Sequence, residues 1–152
     1  MNKILLILVA IVISTSTFVR ADCTISGETM ISYGPMSVYE FTCVHNSTGV
    51  VSAVLSYPIN GVVIGAETDP GATAPTDNYD LTILDSLNYD IMGGALVDRD
   101  TANTEKVAPI LSTLAQGQPT VGSHTIVFAN QLVHNAIVKV RLFIYDYRHE
   151  VW

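Results

Sequence analysis

The feature that most constrains this chain is the run "NAIVKVRLFIYDY" near its C-terminus. Ala136, Val138, Val140, Leu142 and Ile144 fall on one side of a two-residue repeat, with Lys139 and Arg141 on the other. Only an extended strand puts alternate residues on one face. The polar side also turns apolar towards Phe143, which predicts a central strand. The same period recurs upstream. In "SVYEFTCVH", Tyr39, Phe41 and Cys43 oppose Val38, Glu40 and Thr42; in "NYDLTIL", Tyr79, Leu81 and Ile83 oppose Asp80, Thr82 and Leu84. In "SHTIVFAN", Thr125, Val127 and Ala129 oppose Ile126 and Phe128. The runs are joined by clusters of turn formers: "NSTG" at 46–49, "PING" at 58–61, "ETDPGATAP" at 67–75 and "DSLN" at 85–88.

Short joints suggest local pairing. Residues 37–45 and 50–58 read as a hairpin, "VVIGA" extends it to a three-stranded meander, and "SHTIVFAN" with "NAIVKVRLFIYDY" reads as a terminal hairpin around "QLVH". Residues 98–119 read as loop with brief strand or helix pieces. The fold class expected is all-β: an antiparallel β-sandwich of about eight strands, jelly-roll-like or immunoglobulin-like. With 152 residues and no repeat, the chain reads as one such domain over 22–152, preceded by a leader.

That leader is "MNKILLILVAIVISTSTFVRA". Lys3, the apolar run Ile4–Ile13 and the small residue Ala21 make a secretory signal peptide over residues 1–21, a signal helix cleaved after Ala21. Ser14 to Thr17 interrupt the apolar run short of the ~20 residues a spanning helix needs, so no stable membrane span is expected after cleavage. Losing Lys3 and Arg20 leaves 5 of the 7 basic residues against all 14 acidic ones. That balance disfavours nucleic acid as a partner. Cys23 and Cys43, both beyond the cut, are expected to form one disulfide in an exported protein. Asn46-Ser47-Thr48 is a glycosylation sequon.

No catalytic constellation stands out. Ser123 and His124 are adjacent, so on a strand they face opposite sides, and there is no Gly-x-Ser-x-Gly elbow. His45, His124, His134 and His149 lack zinc spacing. Asp77, Asp80, Asp85, Asp90, Asp98 and Asp100 lie close in sequence without the order of a calcium loop. Asp98 and Asp100 are expected to flank Arg99 in a loop salt bridge. Asp77 and Asn78 are expected to bond nearby backbone. Neither a catalytic residue nor a cofactor is expected, and the chain is read as a non-enzyme. Tyr33, Tyr57, Tyr145, Tyr147 and Trp152 are the aromatic candidates for a carbohydrate surface.

The stretches "APTDNYDLTILD" and "DRDTANTE", with the flanking strands over roughly 36–146, resemble small uncharacterised structural proteins of tailed bacteriophages and prophages. The motif residues are Pro75, Thr76, Asp77, Asn78, Tyr79, Asp80, Arg99 and Asp100. The resemblance implies a virion-associated protein, capsid- or tail-associated, that acts through contacts with itself and other virion proteins. A homo-oligomer is expected, and the resemblance carries no catalytic residue. Residues 1–35, with the leader and Cys23, depart from the short phage pattern. They favour an exported protein, periplasmic or extracellular. The alternative expectation is an exported surface-binding module for a glycan or cell-envelope component.

Overall fold

The computed structural model describes residues 23–46 and 48–146. The expected leader over 1–21 lies outside the described residues. What is described is all-β, with strands β1 (Cys23–Tyr33), β2 (Met36–His45), β3 (Gly49–Val54), β4 (Ile59–Pro70), β5 (Asp80–Leu84), β6 (Glu105–Val107), β7 (Ile110–Leu111), β8 (Leu114–Ala115), β9 (Gln118–Gly122), β10 (Thr125–Gln131) and β11 (Ile137–Tyr145). All strand pairings are antiparallel. No helix among the described residues is long and apolar enough to cross a membrane.

The larger sheet runs β1-β2-β11-β4, and β4 carries both β6 and β9 on its far edge. The smaller runs β3-β10-β5. β11 is central, as its two-sided apolar end predicts, paired to β2 and to β4. Its residues Val138, Val140, Leu142 and Ile144 are buried, as are Tyr39, Phe41 and Cys43 of β2. They meet Leu81 and Ile83 of β5 and Ile126 and Phe128 of β10 in a single core cluster. Each such aliphatic or aromatic side chain contributes about 1.5–3 kcal/mol by leaving water.

The expected hairpins do not form. β2 has both edges taken by β1 and β11, so β3 crosses to the smaller sheet and pairs with β10. β10 and β11 likewise sit in different sheets. A short polar joint turns a corner between layers as readily as it folds a strand back, and alternation marks a buried face without marking a partner. The expected meander of 37–45, 50–58 and "VVIGA" fails for the same reason. The turn expected at 58–61 lies earlier: Ile59 already starts β4. Gly61 lies within that strand, at a position where a Cβ would sit 2.5 Å from the carbonyl oxygen of Tyr145. β1, which shows no clean alternation, went unread.

Residues 105–122 make one edge strand with an excursion. β6 runs along Thr68–Ala66 of β4, the chain then leaves the sheet, and β9 resumes along Val63–Ile59 in the same direction. The excursion carries the β7–β8 hairpin, closed by Ser112 at φ 63° and Thr113. It is pinned at its base: the Ile110 amide donates to the Met92 carbonyl at 3.0 Å. Gly93, at φ 60°, is packed so closely that a Cβ would lie 1.8 Å from the Ile110 carbonyl oxygen.

Candidate functional site

The motif residues do come together, and the structure shows what they are spent on. Thr76 meets Gln131, a fully buried side chain on β10: both its amide and its hydroxyl donate to Gln131 Oε1, at 3.0 and 3.1 Å. The Thr76 hydroxyl then accepts from the Leu132 amide at 2.7 Å. The Pro75 carbonyl accepts from the Thr101 hydroxyl. Asn78, at φ 60°, donates its amide to the Arg99 carbonyl, and the Arg99 amide donates to the Tyr79 carbonyl at 2.8 Å. Asp80 accepts from the Asp98 amide with one oxygen and from Asn130 Nδ2 with the other. Three loops, 75–80, 98–105 and 130–133, are thereby tied into one polar knot.

Arg99 does not bridge Asp98 and Asp100. Its guanidinium donates twice to the Val97 carbonyl and pairs with Glu105 at 3.5 Å. The Asp100 carboxylate instead turns forward, accepting from Asn103 Nδ2 and from the amides of Ala102 and Asn103. Those bonds, the Asn103 side chain first, hold it below the usual carboxylate range. Asp77 meets Asn78 Nδ2 at 3.5 Å, not backbone. Backbone capping falls to Asp85 and Asp90: Asp85 accepts from the Leu87 and Tyr89 amides, and Asp90 from those of Ile83, Met92 and Gly94. Tyr79 is buried and stacks on Phe128 at 6.1 Å between ring centroids. Burial pushes its phenol up to about 12; the hydroxyl faces Thr68 without closing a well-formed hydrogen bond. The cluster organises loops; it presents no paired nucleophile and base.

A second charged array crosses the outer face of the larger sheet. Arg141 stands between its direct cross-strand neighbours Glu40 and Glu67 and binds both. Lys106 reaches Glu67 at 3.0 Å and Lys139 reaches Glu40 at 3.8 Å. Burial pushes the Glu67 carboxyl up, but Lys106 and Arg141 outweigh it and hold the group below its ordinary value. Three carboxylate and guanidinium groups locked in register are a structural ladder.

His124 is buried, with Nε2 2.6 Å from the Thr120 hydroxyl, while Ser123 is exposed, so the two do face apart. His45 is 0 % exposed, its ring edge-on to Phe128 at 4.5 Å between centroids. Burial lowers both imidazoles, that of His45 to about 4. Among the described residues no three His, Cys, Asp or Glu side chains converge to hold a metal ion. Cys23 and Cys43 form the expected disulfide, which joins β1 to β2 and fits an oxidising compartment. Of the aromatic candidates, Tyr33 and Tyr57 are exposed and Tyr145 is half-buried; Tyr147 and Trp152 lie outside the described residues. Sequence reasoning missed Gln131, His45 as a core residue, and Glu28, whose Oε1 accepts from the Tyr39 hydroxyl and the Ser56 amide, because each acts through partners distant in the chain. Compared with protein-family models, curated proteins and solved structures, the chain matches none.

Proposed function

We propose that the protein is a non-enzymatic structural component of a phage or prophage particle, exported and working by protein–protein contact. The observation that carries this reading is where large apolar side chains stay in water. Ile110, Leu111 and Leu114 are all exposed on the β7–β8 excursion, Leu114 at 66 %. A strand pair that leaves its sheet to present leucine and isoleucine offers a surface that a protein partner would cover. The motif knot supports the same reading from the other side. Its polar groups are consumed internally, as befits a scaffold that holds loops for contact rather than chemistry.

The architecture supports it as well. With β6 and β9 counted as one interrupted strand, the larger sheet is ordered β2-β11-β4-β6/β9 and the smaller β3-β10-β5, with β1 added at an edge. We take this as a jelly-roll β-sandwich in preference to an immunoglobulin-like one, since from β2 onward successive strands alternate between the two sheets, the β7–β8 excursion aside. Jelly rolls recur in viral capsid and lectin domains. That is a fold-level analogy, and the motif resemblance to phage structural proteins selects the particle reading from it.

Mass spectrometry of purified particles from the host that carries the gene tests the proposal. Peptides of this chain, beginning at Asp22, are expected in stoichiometric amount. Their absence from intact particles would end the reading. Leu111→Asp with Leu114→Asp is expected to leave the isolated fold intact and abolish incorporation.

A further inference from the structure

The outer face of the larger sheet changes character along its strands. One half carries the charged ladder; the other is apolar. Ile31 of β1 is the direct partner of Val38 of β2, Val38 of Phe143 of β11, and Phe143 of Gly65 of β4. β1 reaches this row beyond the bulge between Ser26 and Thr29 that shifts its register. β4 is irregular here too: its register shifts between the partners of Phe143 and Ile144, and the extra residue is Ile64. Ile31 is 49 % exposed and Ile64 40 %, with Val38 and Phe143 half-buried between them. An apolar band across the solvent side of a sheet marks a contact surface.

Charge bears on what covers it. The chain has a formal net charge of −7, so two copies repel across most approaches. Among the described residues the basic side chains are Arg99, Lys106, Lys139 and Arg141, and all but Arg99 stand on this face. Glu40, Glu67 and Asp69 are their direct cross-strand neighbours, which makes the face neutral. By contrast, β5 and the loops around it carry Asp77, Asp80, Asp85, Asp90, Asp98 and Asp100 against Arg99.

We propose that two copies of the chain pack these faces together about a two-fold axis. Sheets packed face to face keep their strands aligned to within about 30°. The ladder runs Glu40, Arg141, Glu67, Lys106 across β2, β11, β4 and β6, so its sign alternates through four adjacent strands. Read backwards, the same row has every sign exchanged. A two-fold axis along the strands, between β11 and β4, performs that reversal. It sets Glu40 over Lys106 of the second copy and Arg141 over its Glu67, and in the apolar half it sets Phe143 over Ile64. An isologous contact needs such a self-complementary patch, whereas a surface of one sign would meet repulsion at every second strand. The apolar half supplies affinity and the ladder fixes register. Five strands about 4.8 Å apart, over the nine residues of β11, span roughly 700 Å². A standard interface takes about 800 Å² from each partner; the three strands of the smaller sheet span about half the area of the larger. The face is separate from the β7–β8 excursion, and the dimer stands independently of membership in a particle.

The test is sedimentation velocity on the purified exported chain over a concentration series, with amide spectra to check the fold of each variant. A dimer with a micromolar dissociation constant is expected. Ile64→Lys is expected to weaken it by at least about tenfold. Val50→Lys, at a residue 63 % exposed on the smaller sheet, and Leu111→Asp with Leu114→Asp are expected to leave it unchanged. Lys106→Glu and Glu40→Lys are each expected to give monomers. Mixed in equal amounts, the two are expected to form a mixed dimer, because every reversed charge again faces its opposite. If a reversed chain loses its native spectrum, Ile64→Lys decides alone. A monomer up to millimolar concentration, with the face left open or covered by another segment of the chain, would overturn the proposal. So would undiminished dimerisation of Ile64→Lys, two natively folded reversed chains that do not pair, or a dimer lost in the Leu111 and Leu114 variant.

Discussion

His45 is sealed against Phe128 with neither ring nitrogen hydrogen-bonded, so the fold holds it neutral. Its folded pKa, near 4 against an ordinary 6.5, means that the unfolded chain binds the extra proton first as pH falls. Stability is therefore full above about pH 6.5 and declines down to about pH 4, by at most roughly 3 kcal/mol. His124 shifts in the same direction and adds to the slope. Urea unfolding at a series of pH values is expected to show this decline, and His45→Leu to remove the larger part of it. Gly93 gives a second single-residue test. Gly93→Ala meets both the left-handed backbone and the Ile110 carbonyl, whereas Gly94→Ala, at φ 80°, faces open space. Thermal denaturation is expected to show the first costing about 3 kcal/mol or more and the second about 1 kcal/mol. Neither position announces itself in sequence: a histidine at the end of an alternating run gives no sign of being sealed, and "GG" does not say which glycine is crowded.

At the scale of elements, the ladder across β2, β11, β4 and β6 depends on its central cation. Arg141→Ala would leave Glu67, 5 % exposed, with Lys106 alone and Glu40 with only the distant Lys139. Taking a cationic partner from the buried Glu67 leaves that charge less compensated. A loss of about 2–3 kcal/mol is expected in chemical denaturation, and Arg141→Lys is not expected to restore it, because an ammonium cannot fork to two carboxylates. The strands themselves were largely legible. Alternation located β2, β5, β10 and β11 and divided each into its two faces, because burial on one side writes period two directly into the chain. Partners were not legible, since the hydrogen bonds of a ladder are made by backbone common to every residue. β1 escaped because its bulge and exposed edge blur the period, and the motif knot because Gln131 lies 55 positions from Thr76.

Over the whole molecule, the disulfide ties the edge strand β1 to the body of the larger sheet across a separation of 20 residues. Replacing both cysteines by serine is expected to cost about 3 kcal/mol by freeing the unfolded chain, measured as a shift in the urea midpoint under oxidising conditions. The same bond bears on how the molecule is made. Among the described residues, apart from the small β7–β8 hairpin, β1–β2 is the one pairing between strands consecutive in the chain; β2–β11, β11–β4, β3–β10 and β10–β5 all bridge long stretches. Hairpins close in about 1–10 μs, while sheets built from remote pairings assemble slowly, after large loops have been closed. As the chain folds, Cys23 and Cys43 are thus expected to meet in the first structure available to form. Oxidation there captures a hairpin before the rest of the barrier is crossed, and gives β11 a ready-made edge on which the remaining sheet can grow.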